Sequence, residues 1–297
     1  MKNSDYTTRF EAYLLTEKRV SDNTFGAYKK DIEQLSEFLG ERPLTEIDAA
    51  DLKSFLKELH DQGISARSLA RKISTIKAFF RYLNTRFGIE NISKDLRFPH
   101  LERKLPRYLT EQEMKQLFVQ AEKDRSAVGE RNRVMLYLMY VSGMRVTELV
   151  QLKTGSMHFD TGVIHIEGKG GKQRVVPISQ GMCSMLSNFL QRVHPQLTKK
   201  QKTIFLFPVV YGGKVKSLTR QTFWGIIKSI WKKTGSKKDI SPHQLRHSLA
   251  THMLKNGADL RSLQMLLGHE NVSTVQIYTH VEKSHLRNVY DKKHPRS

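Results

Sequence analysis

A break in hydrophobic periodicity over residues 88–108 constrains this chain's fold more than any other feature, because it separates two regions that must build their own cores. On its N-terminal side apolar residues recur at helical spacing. Ile32, Leu35, Phe38 and Leu39 share one face that ends at Gly40; Leu52, Phe55, Leu56 and Leu59 share another, opened by Asp48 and closed by Gly63. Ser65 is placed to cap a long helix carrying Leu69, Ile73, Ile76, Phe80 and Leu83 at three- and four-residue steps. Residues 1–87 are therefore expected to form an all-helical domain. The break carries Gly88, Pro99 and Pro106 among Lys94, Arg97, His100, Arg103, Lys104 and Arg107, and reads as a basic interdomain linker.

Residues 109–297 mix the two periodicities. Thr110-Glu111-Gln112-Glu113 has the form of a capping box, and the apolar run Val134–Val141 predicts a central core helix. Val163–Glu167 and Gln173–Ile178 read as strands around the turn Gly168-Lys169-Gly170-Gly171-Lys172. Past Ser217 the pattern is helical again. Ser241 followed by Pro242 starts a helix that Gly257 ends, and Asp259 and Ser273 are placed to cap two shorter ones. The expected fold class is mainly α with a small antiparallel β-sheet, in two domains; 297 residues suffice for two cores.

The formal charge of +21 says little about fold and much about partners. It favours a polyanion, most naturally nucleic acid, over a ribosome-associated or merely basic protein. The helix expected after Ser65 carries Arg67, Arg71, Lys72, Lys77 and Arg81 on one face with no acid, which suits phosphate contact as well as a solvated surface. The single cysteine, Cys183, sits beside Met182, Met185 and Leu186 and reads as a packed thiol, so no internal disulfide is expected. With no charged start followed by an apolar run, and no apolar run of about 18 residues, the expectation is a soluble cytoplasmic protein without a membrane segment.

The candidate chemistry lies in the second region. His243 and Arg246, three residues apart near a helix N-terminus, share a face and can converge on an anion; His247 flanks them or packs. Arg145 follows Gly143 and the core helix, where Glu148 is its nearest partner. A structural ion pair and a phosphate-binding guanidinium oriented by a carboxylate both fit that spacing. Lys169 and Lys172 occupy a glycine-rich tip that can present a lysine to a leaving oxygen or simply leave it solvated. A metal site is disfavoured: His243 and His247 have ligand-like spacing but Gln244 replaces the usual glutamate, and no acidic cluster or second cysteine accompanies them. A nucleotide-binding glycine loop is also missing, so no cofactor is expected.

Taken together, Gly143-Met144-Arg145-Val146-Thr147-Glu148, His243-x-x-Arg246, Leu267-Gly268-His269 and Tyr278 resemble the signature of the tyrosine recombinase (integrase) family. Within it, the tail from Tyr278-Thr279-His280-Val281 to His294-Pro295-Arg296-Ser297 and the segment Leu218–Trp224 are similar to the Xer branch. The resemblance implies an N-terminal core-binding domain and an α+β catalytic domain. It makes Tyr278 the nucleophile on a DNA phosphodiester, Arg145 and Arg246 the clamps on the scissile phosphate, and Glu148 their support. His243 would move the tyrosine proton, His269 would bond a phosphate oxygen, and Lys169 would protonate the leaving 5′-hydroxyl, although spacing alone does not choose between Lys169 and Lys172.

The same resemblance places Arg220 and Gln221 against DNA, beside the Arg67, Arg71 and Lys72 suggested by charge. It implies a 3′-phosphotyrosyl intermediate formed without metal or ATP, and a tetramer around a Holliday junction at a dif-like site. A related Xer partner, an FtsK-type translocase as activator and a subunit-docking tail at 279–297 also follow from it. Integration of a mobile element, a type IB topoisomerase and a catalytically silent DNA-binding protein are the competing readings.

Overall fold

In the computed structural model, residues 2–100, 108–168 and 173–267 are described, and the chain groups into two compact units, 1–104 and 105–297. The first unit is four helices: α1 (Asn3–Thr16), α2 (Asp22–Leu39), α3 (Ala49–Asp61) and α4 (Ala66–Phe87). Local chemistry sets their ends. The Asp48 carboxylate accepts from the backbone N–H groups of Ala50 and Asp51 at 2.7 and 3.0 Å, and Asp51 returns the bond to Asp48 N–H at 2.9 Å. Ser65 accepts from Ser68 N–H at 3.2 Å, and Gly88 closes α4 in the left-handed region at φ 68°.

The apolar faces of these helices meet in a core that includes Phe10, Leu35, Leu52, Phe55, Ile76, Phe79, Phe80 and Leu83. Phe38, expected on the buried face of α2, sits at its margin, half in solvent, with its ring 5.2 Å from that of Phe55. Within the segment read as linker, Ile89, Ile92 and Leu96 pack onto this core; residues 101–107 lie outside the described part.

At Lys72 the structure departs from the expected open cationic face on α4. Lys72 is only 3% exposed, because α4 turns this position toward α2. There its ammonium donates to Asp31 Oδ1 at 2.9 Å and also to Gln34, while Thr75 and Arg71 bond the other Asp31 oxygen at 2.9 Å and at closer range respectively. Spacing along one helix cannot reveal a carboxylate on another. Arg67 and Arg81 remain exposed.

In the second unit α5 (Glu111–Ala121) begins with the expected capping box, Thr110 Oγ1 accepting from Glu113 N–H at 3.2 Å and Glu113 accepting from Thr110 N–H at 2.9 Å. α6 (Ala127–Ser142) is buried on every side from Val134 to Ser142 and is the element around which α5, α8, α10 and α11 pack. A short α7 (Val146–Val150) leads to an antiparallel sheet in the order β1 (Met157–His158), β2 (Val163–Glu167), β3 (Gln173–Pro177), in register Ile164↔Val176 and Ile166↔Arg174. α8 (Gln180–Asn188) passes through a π turn into α9 (His194–Leu197), which carries the chain to a hairpin of β4 (Pro208–Tyr211) and β5 (Lys214–Ser217). Three helices complete the described unit: α10 (Arg220–Lys232), α11 (Pro242–Lys255) and α12 (Leu260–Leu267). Cys183 is buried in this core, as its apolar neighbours suggest. No helix among the described residues is long and apolar enough to cross a membrane.

Candidate active site

The site grows from the end of α6. Gly143 adopts φ 58°, and a Cβ there would lie 2.6 Å from Leu267 Cδ2 and 2.8 Å from Leu249 Cδ2. Only glycine satisfies both the left-handed backbone and this approach of α11 and α12. The turn then delivers Arg145 to the start of α7, where Glu148 Oε2 accepts from Arg145 N–H at 2.7 Å and Glu148 Oε1 accepts from Arg145 Nη1 at 3.0 Å. The expected Arg145–Glu148 contact therefore forms.

It is not the whole arrangement. Arg174, buried at 7% exposure, grips the same carboxylate with both Nη atoms, at 2.9 and 2.8 Å. Burial opposes ionisation of Glu148, but the hydrogen bonds and charge of Arg174, with the donors of Arg145, outweigh it and hold the carboxyl below its usual range. Arg174 was not singled out from the sequence, although it shares the inward face of β3 with Val176, a period-two signal for a buried cation.

Arg246, on α11, completes the cluster. Nη1 donates to the carbonyl of Gly143 and Nη2 to that of Leu267, while Arg174 Nε donates to the carbonyl of Leu266 at 3.2 Å. Two arginines thus bond the carbonyls of Leu266 and Leu267, the last described residues of α12. Burial, then the charges of Arg145 and Arg174, push the Arg246 guanidinium down to about 10, against the opposing pull of Glu148; it stays charged at neutral pH. Three guanidinia around one carboxylate leave an excess of two positive charges in a half-buried place. Such a place is disposed to receive an anion.

Beside it lies a groove of about 500 Å³, lined by Val146, Thr219, Arg220, Gln221, Trp224 and His243 among others. His243 is exposed on the first turn of α11, and Arg220 and Gln221 open α10 behind the cap Thr219, whose hydroxyl accepts from Thr222 N–H at 3.1 Å. The structure thus brings together His243, Arg220 and Gln221, with Val146 joining the groove to Arg145. Two helix N-termini face the same space, which adds to its preference for negative charge. Trp224 is held by its indole N–H on the Ile240 carbonyl at 3.0 Å, with the Lys228 ammonium 4.6 Å from the ring centroid. His247 is half-buried and packs edge-on against Tyr108 at 6.4 Å, the structural alternative foreseen for it. Lys169, Lys172, His269 and Tyr278 lie outside the described residues, as do Ser273 and the tail. Arg67, Arg71 and Lys72 belong to the other unit.

Comparison with known proteins matches this architecture. Residues 107–285 match the phage integrase family, and residues 7–86 match the N-terminal SAM-like domain of phage integrases. The chain belongs to this family, the tyrosine recombinases, whose activity is DNA strand transfer. It is similar to the tyrosine recombinase XerD of Staphylococcus aureus, with 39% identity over 289 residues, covering 96% of this chain and 97% of the relative. In fold it is similar to the XerH site-specific recombinase bound to a palindromic difH substrate (TM-score 0.71, 24% identity, 95% of this chain and 83% of that one). It is likewise similar to a lambda integrase tetramer bound to a Holliday junction (TM-score 0.69, 21% identity, 93% and 76%).

Proposed function

We propose that the chain is a site-specific recombinase that resolves chromosome dimers at a dif-like site, exchanging strands through a Holliday junction in a tetramer built with a related Xer partner. The observation that carries the chemistry is the cluster of Arg145, Arg174 and Arg246 around Glu148. Attack on a phosphodiester builds charge on the non-bridging oxygens, and fixed cations in a partly dry site stabilise it without a metal. In this reading Arg145 and Arg246 hold those oxygens, with His269 adding a hydrogen bond, and Glu148 orients Arg145. The Tyr278 hydroxyl attacks phosphorus as His243 takes its proton. The bond to the 5′-oxygen breaks, and Lys169 protonates that oxygen as it leaves. The 3′-phosphotyrosyl ester conserves the bond energy, so rejoining needs no ATP.

Arg220 and Gln221 line the groove and would meet the DNA there, while Arg67 and Arg71 serve the same end from the helical unit. Lys72, buried against Asp31, drops out of that set, whereas Arg71, which also bonds Asp31, keeps its side chain 40% exposed. The chromosomal role rests on the likeness to XerD over nearly the whole chain, and a translocase of the FtsK type is the expected activator. The test is a synthetic four-way junction with dif-like arms, incubated with the chain alone and with a Xer partner. Resolution dependent on Tyr278 is expected. A junction that is bound and never resolved under either condition would overturn the reading in favour of a silent DNA-binding protein.

A further inference from the structure

No Asp or Glu occurs between Glu167 and Asp239, a stretch that carries 15 Lys and Arg residues. Part of it forms the β4–β5 hairpin. Gly212 and Gly213, at φ 57° and 75°, make the two-residue turn that pairs Tyr211 with Lys214 and Val209 with Lys216. Directly opposed residues share a face, so Tyr211, Lys214 and Lys216 stand together on one side of the ribbon. All three are exposed, Tyr211 at 76%, and the Lys216 ammonium lies 5.8 Å from the Tyr211 ring centroid. A basic, acid-free ribbon that carries an aromatic ring beside its lysines has the charge of a surface that meets a polyanion.

The base of the hairpin is tied to the active-site unit. Gln151 Nε2 donates to Ser217 Oγ at 3.2 Å, and Leu218 N–H donates to the Phe207 carbonyl at 3.3 Å. Thr219, two residues past the end of β5, already lines the groove. At the tip, Gln201 donates to the Gly213 carbonyl at 3.3 Å, which draws in the exposed Lys199, Lys200 and Lys202. Five residues of extended chain separate Lys214 from Thr219, at most about 17 Å. Duplex DNA rises about 3.4 Å per base pair on each strand, so that reach corresponds to about five base pairs.

We propose that the β4–β5 hairpin is a second DNA contact surface, on which Lys214, Lys216 and Tyr211 bind backbone phosphates up to about five base pairs from the step held in the groove. The inference rests on the reading that the groove holds duplex DNA. The hairpin then extends the footprint of the catalytic unit along the flank, and its contacts are to phosphate, so they position without reading sequence.

The test measures duplex affinity against salt for wild type, for Lys214→Ala/Lys216→Ala, and for Lys115→Ala/Lys123→Ala. The last removes the same charge from exposed positions of the same unit that lie near Glu111, Glu113, Glu122 and Asp124. Loss of two phosphate contacts should reduce the slope of log affinity against log salt by about 1.8 in the hairpin variant, with the control near wild type. Tyr211→Ala should weaken binding in the same direction. On a duplex trimmed by five base pairs on the flank, wild type and hairpin variant should converge. Equal slopes for wild type and hairpin variant on the long duplex overturn the hairpin proposal alone, as does an equal change in the control. If wild type shows no salt-dependent duplex binding, the functional reading itself falls, and this inference with it.

Discussion

Each unit of the molecule buries a carboxylate among cations, and the two clusters differ in how their charge is counted. In the helical unit Asp31 meets Lys72, Arg71 and Thr75, with Gln34 sharing the Lys72 ammonium, and every atom of the carboxylate is engaged inside the fold. In the catalytic unit Glu148 meets Arg145 and Arg174 while Arg246 stands near enough to feel all three charges. The first cluster holds two cations for one anion, one of them almost wholly buried; it ties α2 to α4. The second holds three for one, beside an open groove, with Arg145 still 36% exposed at its side chain. A buried carboxylate is therefore no mark of a site by itself. The larger surplus of cations and the groove beside them distinguish an anion-receiving cluster from a cross-brace; exposure alone does not, since the Arg71 side chain is 40% exposed.

The comparison breaks most visibly at Asp31. Asp31→Ala strands Lys72 in the core and should cost about 3–5 kcal/mol of stability, read by thermal or urea unfolding. Cleavage per folded molecule should stay near wild type. Arg145→Ala should do the reverse. Glu148 keeps its two bonds to Arg174, so the melting temperature should move little, while the rate of strand cleavage falls by about 3–4 kcal/mol, or 10²–10³-fold. Equal losses of stability and rate in both variants would erase the distinction.

A smaller effect is expected at Gly143. Gly143→Ala forces a left-handed alanine, about 1–2 kcal/mol, and presses its methyl on the flexible ends of Leu267 and Leu249, which can shift at smaller cost. Because Arg246 bonds the Gly143 carbonyl, cleavage should fall along with stability. Smallest is a pH effect from the buried His252, whose Nδ1 pairs with the Tyr140 hydroxyl at 2.8 Å and whose other nitrogen has no hydrogen-bond partner among the described residues. Burial lowers its proton affinity below the usual histidine range. The unfolded chain therefore takes up a proton near pH 6.5 that the folded chain resists, so stability should decline as pH falls from about 7 through that point and level off below the folded value. His252→Gln should flatten this part of a melting-temperature profile.

The ends of helices are legible because they are local: Asp48, Ser65, Thr110 and Gly40 act on their own backbone neighbours. Glu148 could be matched to Arg145 for the same reason, at three residues' distance. What stayed hidden was long-range. Lys72 meets Asp31 across 41 positions and Arg174 meets Glu148 across 26, and neither carboxylate announces its partner. The one local signal of the β4–β5 hairpin is the Gly-Gly pair flanked by Val209-Val210-Tyr211 and Lys214-Val215, a pattern that specifies a two-residue turn. Strands of four residues carry too little periodicity to be seen without that cue.

The central claim is that this surplus of arginines serves a tyrosine nucleophile, and trapping the covalent intermediate tests it most directly. A dif-like duplex nicked close to the cleavage point, incubated in chelator without ATP, lets the short fragment diffuse away after cleavage. Wild type should leave a protein–DNA adduct stable to SDS, Tyr278→Phe should leave none, and Arg145→Ala should bind the duplex yet accumulate adduct 10²–10³-fold more slowly, about 3–4 kcal/mol. An adduct that survives Tyr278→Phe, or that forms equally fast in Arg145→Ala, would contradict the account.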